Sequence, residues 1–133
     1  MAYPVSFEAC VEHFVSLVST GAPGLAAAYE GRIPQATAFP YCFVTTGGVQ
    51  DYNDHSLTAS YDFEIHFEVI SSAVDINEAR GLGRTIASLV DHHTGSFTGG
   101  SITACIVTSN ISFHGPNEYK HCKVTARVSA TEP

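Results

Sequence analysis

Between Ser60 and Ile70 the chain places Tyr61, Phe63, Ile65, Phe67 and Val69 on every second residue, with Asp62, Glu64, His66 and Glu68 between them. Successive side chains of a strand point to opposite faces, so this alternation predicts a strand over Leu57–Ile70 with one dry face and one polar face, central in its sheet. No helix keeps those apolar residues on one side. A different period governs the start of the chain. Phe7, Cys10, Val11, Phe14, Leu17 and Val18 fall at the i, i+3, i+4, i+7 spacing of an amphipathic helix over Phe7–Val18. Ser6 is its expected N-cap, Glu8 and Glu12 suit the positive end of the dipole, and Gly21 with Pro23 closes it. Leu25–Tyr29 is expected to add a helical turn, and the aperiodic, proline-containing Arg32–Ala38 an extended linker.

Aromatic and β-branched residues predict a first strand over Phe39–Thr46, joined to the central strand by a polar, exposed hairpin loop over Gly47–Ser56. The second helix is expected over Val74–His93, opened by a capping box of Asp75 and Glu78 and ended by Gly95. Ile76, Ala79, Gly83, Ile86, Leu89 and Val90 form its apolar face. Gly81 and Gly83 inside it each cost up to ~1 kcal/mol relative to alanine, which close packing would explain. A glycine-rich turn, Gly95–Gly100, leads to a strand over Ile102–Phe113, a turn at Gly115–Asn117 and a last strand over Tyr119–Val128. In that strand Cys122, Val124, Ala126 and Val128 share one face, and His121, Lys123, Thr125 and Arg127 the other. The order helix-strand-strand-helix-strand-strand predicts an α+β fold: a mainly antiparallel four-stranded sheet with two principal helices packed on one face.

Composition narrows the function. At 133 residues and 44% hydrophobic the chain fits one domain, residues 1–133, with a modest core. No apolar run approaches the ~18–20 residues of a membrane span, so no membrane partner is expected. The first basic residue is Arg32, which argues against a secretory signal. Thirteen acids against six bases give a formal charge of −7, contrary to the basic footprint that nucleic-acid binding needs. Cys10, Cys42, Cys105 and Cys122 form no CxxC pair and read as buried thiols of a reducing compartment.

The polar row of the central strand is the main chemical candidate. Alternate residues lie ~6.5–7 Å apart, so Glu64, His66 and Glu68 can line a groove or share a metal. One strand rarely supplies a whole site, and no second His/Asp cluster has a spacing that sets it opposite. The preferred reading is a solvated or subunit-facing surface, with Lys123 and Arg127 pairing with Asp62, Glu64 or Glu68 across the sheet or a subunit boundary. His92-His93 do not share a helical face, and His114 with His121 lacks further ligands, so no metal is expected. Gly81-Leu82-Gly83 lies inside a predicted helix and lacks the third glycine of a dinucleotide fingerprint. There is no Walker motif, no Gly-x-Ser-x-Gly elbow and no His-Glu-x-x-His, so neither enzyme nor cofactor is indicated.

With the elements placed, the chain resembles the tail-completion or tail-terminator proteins of long-tailed bacteriophages and related gene-transfer particles. The resemblance covers most of the chain. It lies in the N-terminal helix, the Gly-Arg-Ile-Pro…Phe-Pro-Tyr-Cys-Phe-Val passage (Gly31–Val44), the acidic loop, the strand Tyr61–Ile70, the helix Asn77–Val90 and the ending Lys-Val-Thr-Ala-Arg-Val (Lys123–Val128). The chain lacks the tryptophan often found in such strands. The resemblance implies a non-enzymatic virion protein of the tail or neck, assembled in the host cytoplasm. Its subunits form a ring, usually a hexamer, at the head-proximal end of the tail tube. The partners implied are other copies of itself, the tail tube protein and a head-tail connector or stopper protein, with DNA passing through the lumen without specific binding. The residues proposed for assembly contacts are Asp51, Tyr52 and Asp54 in the acidic loop, with Glu64, His66, Glu68, Lys123 and Arg127 on the strands. Two alternatives stand beside it: another neck or connector ring, and a small α+β ligand-binding protein or enzyme with Glu64 and His66 as general acid and base.

Overall fold

The computed structural model describes residues 6–30, 33, 37–53 and 60–131. The elements in chain order are helix α1 (Ser6–Gly21), strands β1 (Ala27–Glu30), β2 (Tyr41–Asn53) and β3 (Ser60–Ser71), and helix α2 (Asn77–Val90). Strands β4 (Gly95–Phe97), β5 (Gly100–His114) and β6 (Lys120–Thr131) follow, with a 3-10 turn at Pro116–Glu118 before β6. They form one six-stranded sheet in the order β1-β2-β3-β6-β5-β4. All neighbours are antiparallel except β1 and β2, which run parallel. The sheet is therefore mixed and six-stranded rather than antiparallel and four-stranded.

The central strand behaves as its alternation requires. Phe63, Ile65, Phe67 and Val69 of β3 are fully buried, as are Cys122, Val124, Ala126 and Val128 of β6 beside them. Both helices pack on that side: Cys10, Val11, Phe14 and Val18 of α1 and Ala79, Ile86 and Val90 of α2 join one cluster with the strand residues. Burying a side chain of this size contributes ~1.5–3 kcal/mol, so the β3 row alone outweighs any local preference of the segments around it.

Three segments depart from the local reading for that reason. Leu25–Tyr29 is not a helical turn: Ala27–Glu30 pairs with Tyr41–Val44 as β1, satisfying its backbone on the edge of β2. The predicted loop Gly47–Ser56 is strand as far as Asn53, because the ladder between β2 and β3 continues to Asn53↔Ser60. Shifts of register between Thr46 and Val49 and between Val49 and Asp51 absorb the residues that look like turn formers. Asp54, with the rest of that predicted loop, and most of the linker Arg32–Ala38 lie outside the described residues. The Gly95–Gly100 turn is shorter than expected, since Gly95–Phe97 pairs with Gly100–Ile102 as β4.

Helix α2 is trimmed at both ends. The Asp75 carboxylate accepts from the Asn77 N–H at 2.9 Å, but Glu78 does not complete the box; it accepts instead from the buried Ser71 hydroxyl at 2.6 Å. That bond ties the first turn of α2 to the end of β3. At the other end His92, not Gly95, takes the left-handed conformation, with φ 61°. Its N–H donates to Cys105 O at 2.6 Å, and the Asp91 carboxylate accepts from Val107 N–H at 3.0 Å, so the end of α2 satisfies part of the outer edge of β5.

The two glycines of α2 separate cleanly. A methyl group at Gly83 collides with Cys122 Sγ, so this glycine lets the helix lie against β6, whereas one at Gly81 meets nothing within 4 Å. Gly83→Ala is expected to lose about 1–3 kcal/mol of unfolding free energy through overpacking. Gly81→Ala is expected to gain up to about 1 kcal/mol. Urea titrations of the two variants check both; equal and opposite shifts of the wrong sign contradict the packing of α2 on β6.

Candidate functional site

The face of the sheet turned away from the helices is covered by no described element. Register places Glu64 opposite Arg127, Glu68 opposite Lys123, His66 opposite Thr125 and Asp62 opposite Ser129 on the β3–β6 ladder. On the far side of β3, Phe43 and Thr45 of β2 stand opposite Glu68 and His66. On the far side of β6, Ile106, Ile111 and Phe113 of β5 stand opposite Arg127, Lys123 and His121. The predicted residues Glu64, His66, Glu68, Lys123 and Arg127 are thus brought together in two adjacent rows. Asp51 and Tyr52 lie in β2, opposite Asp62 and Tyr61.

The pairing within the rows differs from simple opposition. Glu68 Oε2 accepts from His121 Nδ1 at 2.7 Å, on the diagonal, instead of from Lys123. Asp62 Oδ1 accepts from the Ser129 hydroxyl at 2.6 Å, and Glu64 Oε1 stands 3.7 Å from His66 Nε2. His66 Nδ1 lies 3.1 Å from Thr125 Oγ1. Among the described residues neither Lys123 nor Arg127 comes within 4.0 Å of a carboxylate oxygen, so the expected ion pairs do not form within the subunit. Short-range hydrogen bonding by His121 holds Glu68 and that by Ser129 holds Asp62.

His121 is packed tightly. Its ring stacks on Phe113 with centroids 5.0 Å apart and planes at 18°, and it fills the space above Gly115. Its Nε2 is buried and has no partner among the described residues. His114 and His121 do not converge as a ligand pair: His114 stands opposite Lys120, and Phe113 takes the place beside His121. Among the described residues no group of three or more His, Cys, Asp or Glu side chains is placed to hold a metal ion. Burial pushes the Cys10, Cys42 and Cys105 thiols up to about 12, which leaves them protonated and poor nucleophiles. No described helix is long and apolar enough to cross a membrane.

A second histidine pair was not visible in the sequence. His13 of α1 and His93, after α2, approach with Nε2 atoms 2.9 Å apart and rings stacked at 5.2 Å, beside Phe14. The partners are 80 residues apart, and only the packing of α1 on the α2–β4 connection brings them together. Burial, reinforced by His13, holds the His93 imidazole below its ordinary value. Burial also lowers His66, helped by the charge of Lys123 and opposed by Glu64.

These observations define an α+β fold with a half-covered six-stranded sheet and an open face of mixed charge with apolar margins. No family model and no curated protein matches the chain. Among solved structures the fold is similar to a chain of the "Virion of native gene transfer agent (GTA) particle", with a TM-score of 0.69 over 89% of this chain and 84% of that one. Identity is 14%, so the likeness is one of fold.

The two lowered histidines carry a pH consequence. Their folded-state values lie below the ordinary 6.5 of the unfolded chain, so the unfolded chain takes up protons first as pH falls. Stability is expected to be fully present above about pH 6.5 and to drop as pH falls below it, and the drop to shrink in His66→Gln and in His93→Gln. Thermal melts of the three proteins between neutral and mildly acid pH check this. Identical pH slopes in all three contradict it.

Proposed function

We propose that this protein is a single-domain, non-enzymatic virion component that forms a ring, a hexamer, at the head-proximal end of a tail tube. There it ends tube polymerisation and joins the tail to a head-side connector or stopper. The observation that carries the reading is the fold likeness to a gene-transfer-agent virion chain. The sequence resemblance to tail-terminator proteins points to the same kind of particle. A subunit in which, among the described residues, one sheet face is uncovered and two cations have no carboxylate partner is suited to assembly rather than to solitary life. Asp51, Tyr52 and Asp54 with Glu64, His66, Glu68, Lys123 and Arg127 supply the proposed assembly contacts. The ring forms in the host cytoplasm and stays in the virion. Its net charge of −7 keeps DNA sliding through the lumen from adhering to the wall.

The enzymatic alternative needs a pocket converging on Glu64 and His66. The described cavities lie instead along α1 and at the corner between Ser72 and Tyr119. Another ring position in the neck fits the same fold likeness, and tube termination distinguishes it. Purified protein added in substoichiometric amount to its polymerising tail tube protein is expected to shorten the tubes and to label one end of each in electron micrographs. Tubes of unchanged length, with the protein left in solution, reject the terminator role.

A further inference from the structure

We propose that the lateral contact between copies is strand addition. The bare edge of β5 over Thr108–His114 in one copy pairs, antiparallel, with the bare edge of β2 over Thr45–Asn53 in the next. This rests on the ring reading and specifies its subunit boundary.

The backbone accounting comes first. β1 covers β2 only at Tyr41–Val44, and β4 covers β5 only at Gly100–Ile102. The end of α2 satisfies Cys105 O and Val107 N–H and reaches no further. Beyond those points, among the described residues, no element pairs with either outer edge. Every second residue of such an edge turns both its N–H and its C=O outward. Exposed edges are normally blunted by Lys, Pro or shortness, and Thr108–His114 contains neither Lys, Arg nor Pro. It carries Ile111 and Phe113 instead, 59% and 38% exposed.

The two edges also match in direction and position. β2, β3, β6 and β5 are successively antiparallel, so β5 of one copy and β2 of a copy in the same orientation run antiparallel. The residues Thr45, His66, Thr125 and Ser109 form one row across the sheet; β2 is bare on one side of that row and β5 on the other. Pairing the bare halves therefore displaces each copy along the strands by roughly 20 Å, at ~3.3 Å per residue. β4 and β1 fill the steps left above and below. A stagger repeated at every contact is what tilted strands need in order to close into a ring.

Side chains fit this arrangement. Pairing His114 level with Thr46 keeps the two faces of the sheet continuous between copies and brings Phe113 opposite Gly47, with Ile111 close to Gly48; these glycines have no side chains to obstruct them. A groove of about 370 Å³ runs beside the β2 edge, walled by Val11 and Val44 and rimmed by Glu8 and Glu30. Burial, with the charges of Glu12 and Glu8, holds the Glu30 carboxyl above its ordinary value. His114 is the ionisable side chain of the incoming stretch, and it arrives at this acidic rim. Edge pairing leaves Glu64, His66, Glu68, Lys123 and Arg127 on an uncovered face, available to stacked neighbours or the lumen.

The test is sedimentation of the full chain over a range of concentrations, with hydrogen exchange of the associated form. Ile111→Lys and Phe113→Lys are each expected to weaken association about tenfold or more, and Val74→Lys, at a residue 97% exposed elsewhere, to leave it unchanged. Far-ultraviolet circular dichroism confirms that each variant is folded. Amides of residues 108–114 and 45–53 are expected to gain protection on association in the wild type. Association as tight in both β5 variants, with protection elsewhere, overturns strand addition and leaves the ring standing. A protein that stays monomeric at millimolar concentration also overturns it, since two bare edges need no template. The ring reading is then decided by the tube-capping assay alone.

Discussion

Burial of Phe63, Ile65, Phe67 and Val69 along one side of β3 constrains the rest of the molecule. With side chains alternating at a period of two, that burial leaves Asp62, Glu64, His66 and Glu68 no choice but the opposite face. The helices must then lie on the apolar side. They do so closely enough that Gly83 sits against Cys122 and the Ser71 hydroxyl binds Glu78. A slip of one residue in β3 exchanges the two faces and exposes the core, so register, helix placement and the polar surface are fixed together.

Among the described residues the polar face that results is not a closed ion-pair network. His121 holds Glu68 and Ser129 holds Asp62 within the subunit, while among the described residues Lys123 and Arg127 reach no carboxylate. Surface ion pairs contribute only ~0–1 kcal/mol, so leaving two of them unmade costs the subunit little. The edges follow the same logic. Short β1 satisfies the first four residues of the β2 edge, and β4 with the end of α2 part of the β5 edge; among the described residues the stretches left unpaired stand at opposite corners of the sheet.

Long periodic segments were legible in the sequence. The alternation around Phe63–Val69 and Cys122–Val128 gave both strands and both faces, and the stripe from Phe7 to Val18 gave α1. What was not legible depended on distant partners. Ala27–Glu30 has no period of its own and becomes a strand only because β2 offers an edge. Gly47–Asn53 carries turn chemistry that the β3 ladder overrides. Glu78 looked like the far half of a capping box until Ser71 supplied a buried hydroxyl. For the candidate site, spacing placed the five charged and imidazole side chains of β3 and β6 on a common face. It did not give the diagonal bond from His121 to Glu68 or the contact of His13 with His93, because both need the packed tertiary structure. The proposed role rests on fold likeness and resemblance, since assembly surfaces in general carry no motif of fixed spacing.

The most direct measurement is electron microscopy of the purified protein with class averaging, beside native mass spectrometry of the same sample. The account predicts closed six-fold particles with a central channel and a mass of six subunits. A homogeneous population of monomers that neither closes alone nor binds to the end of a tail tube contradicts it.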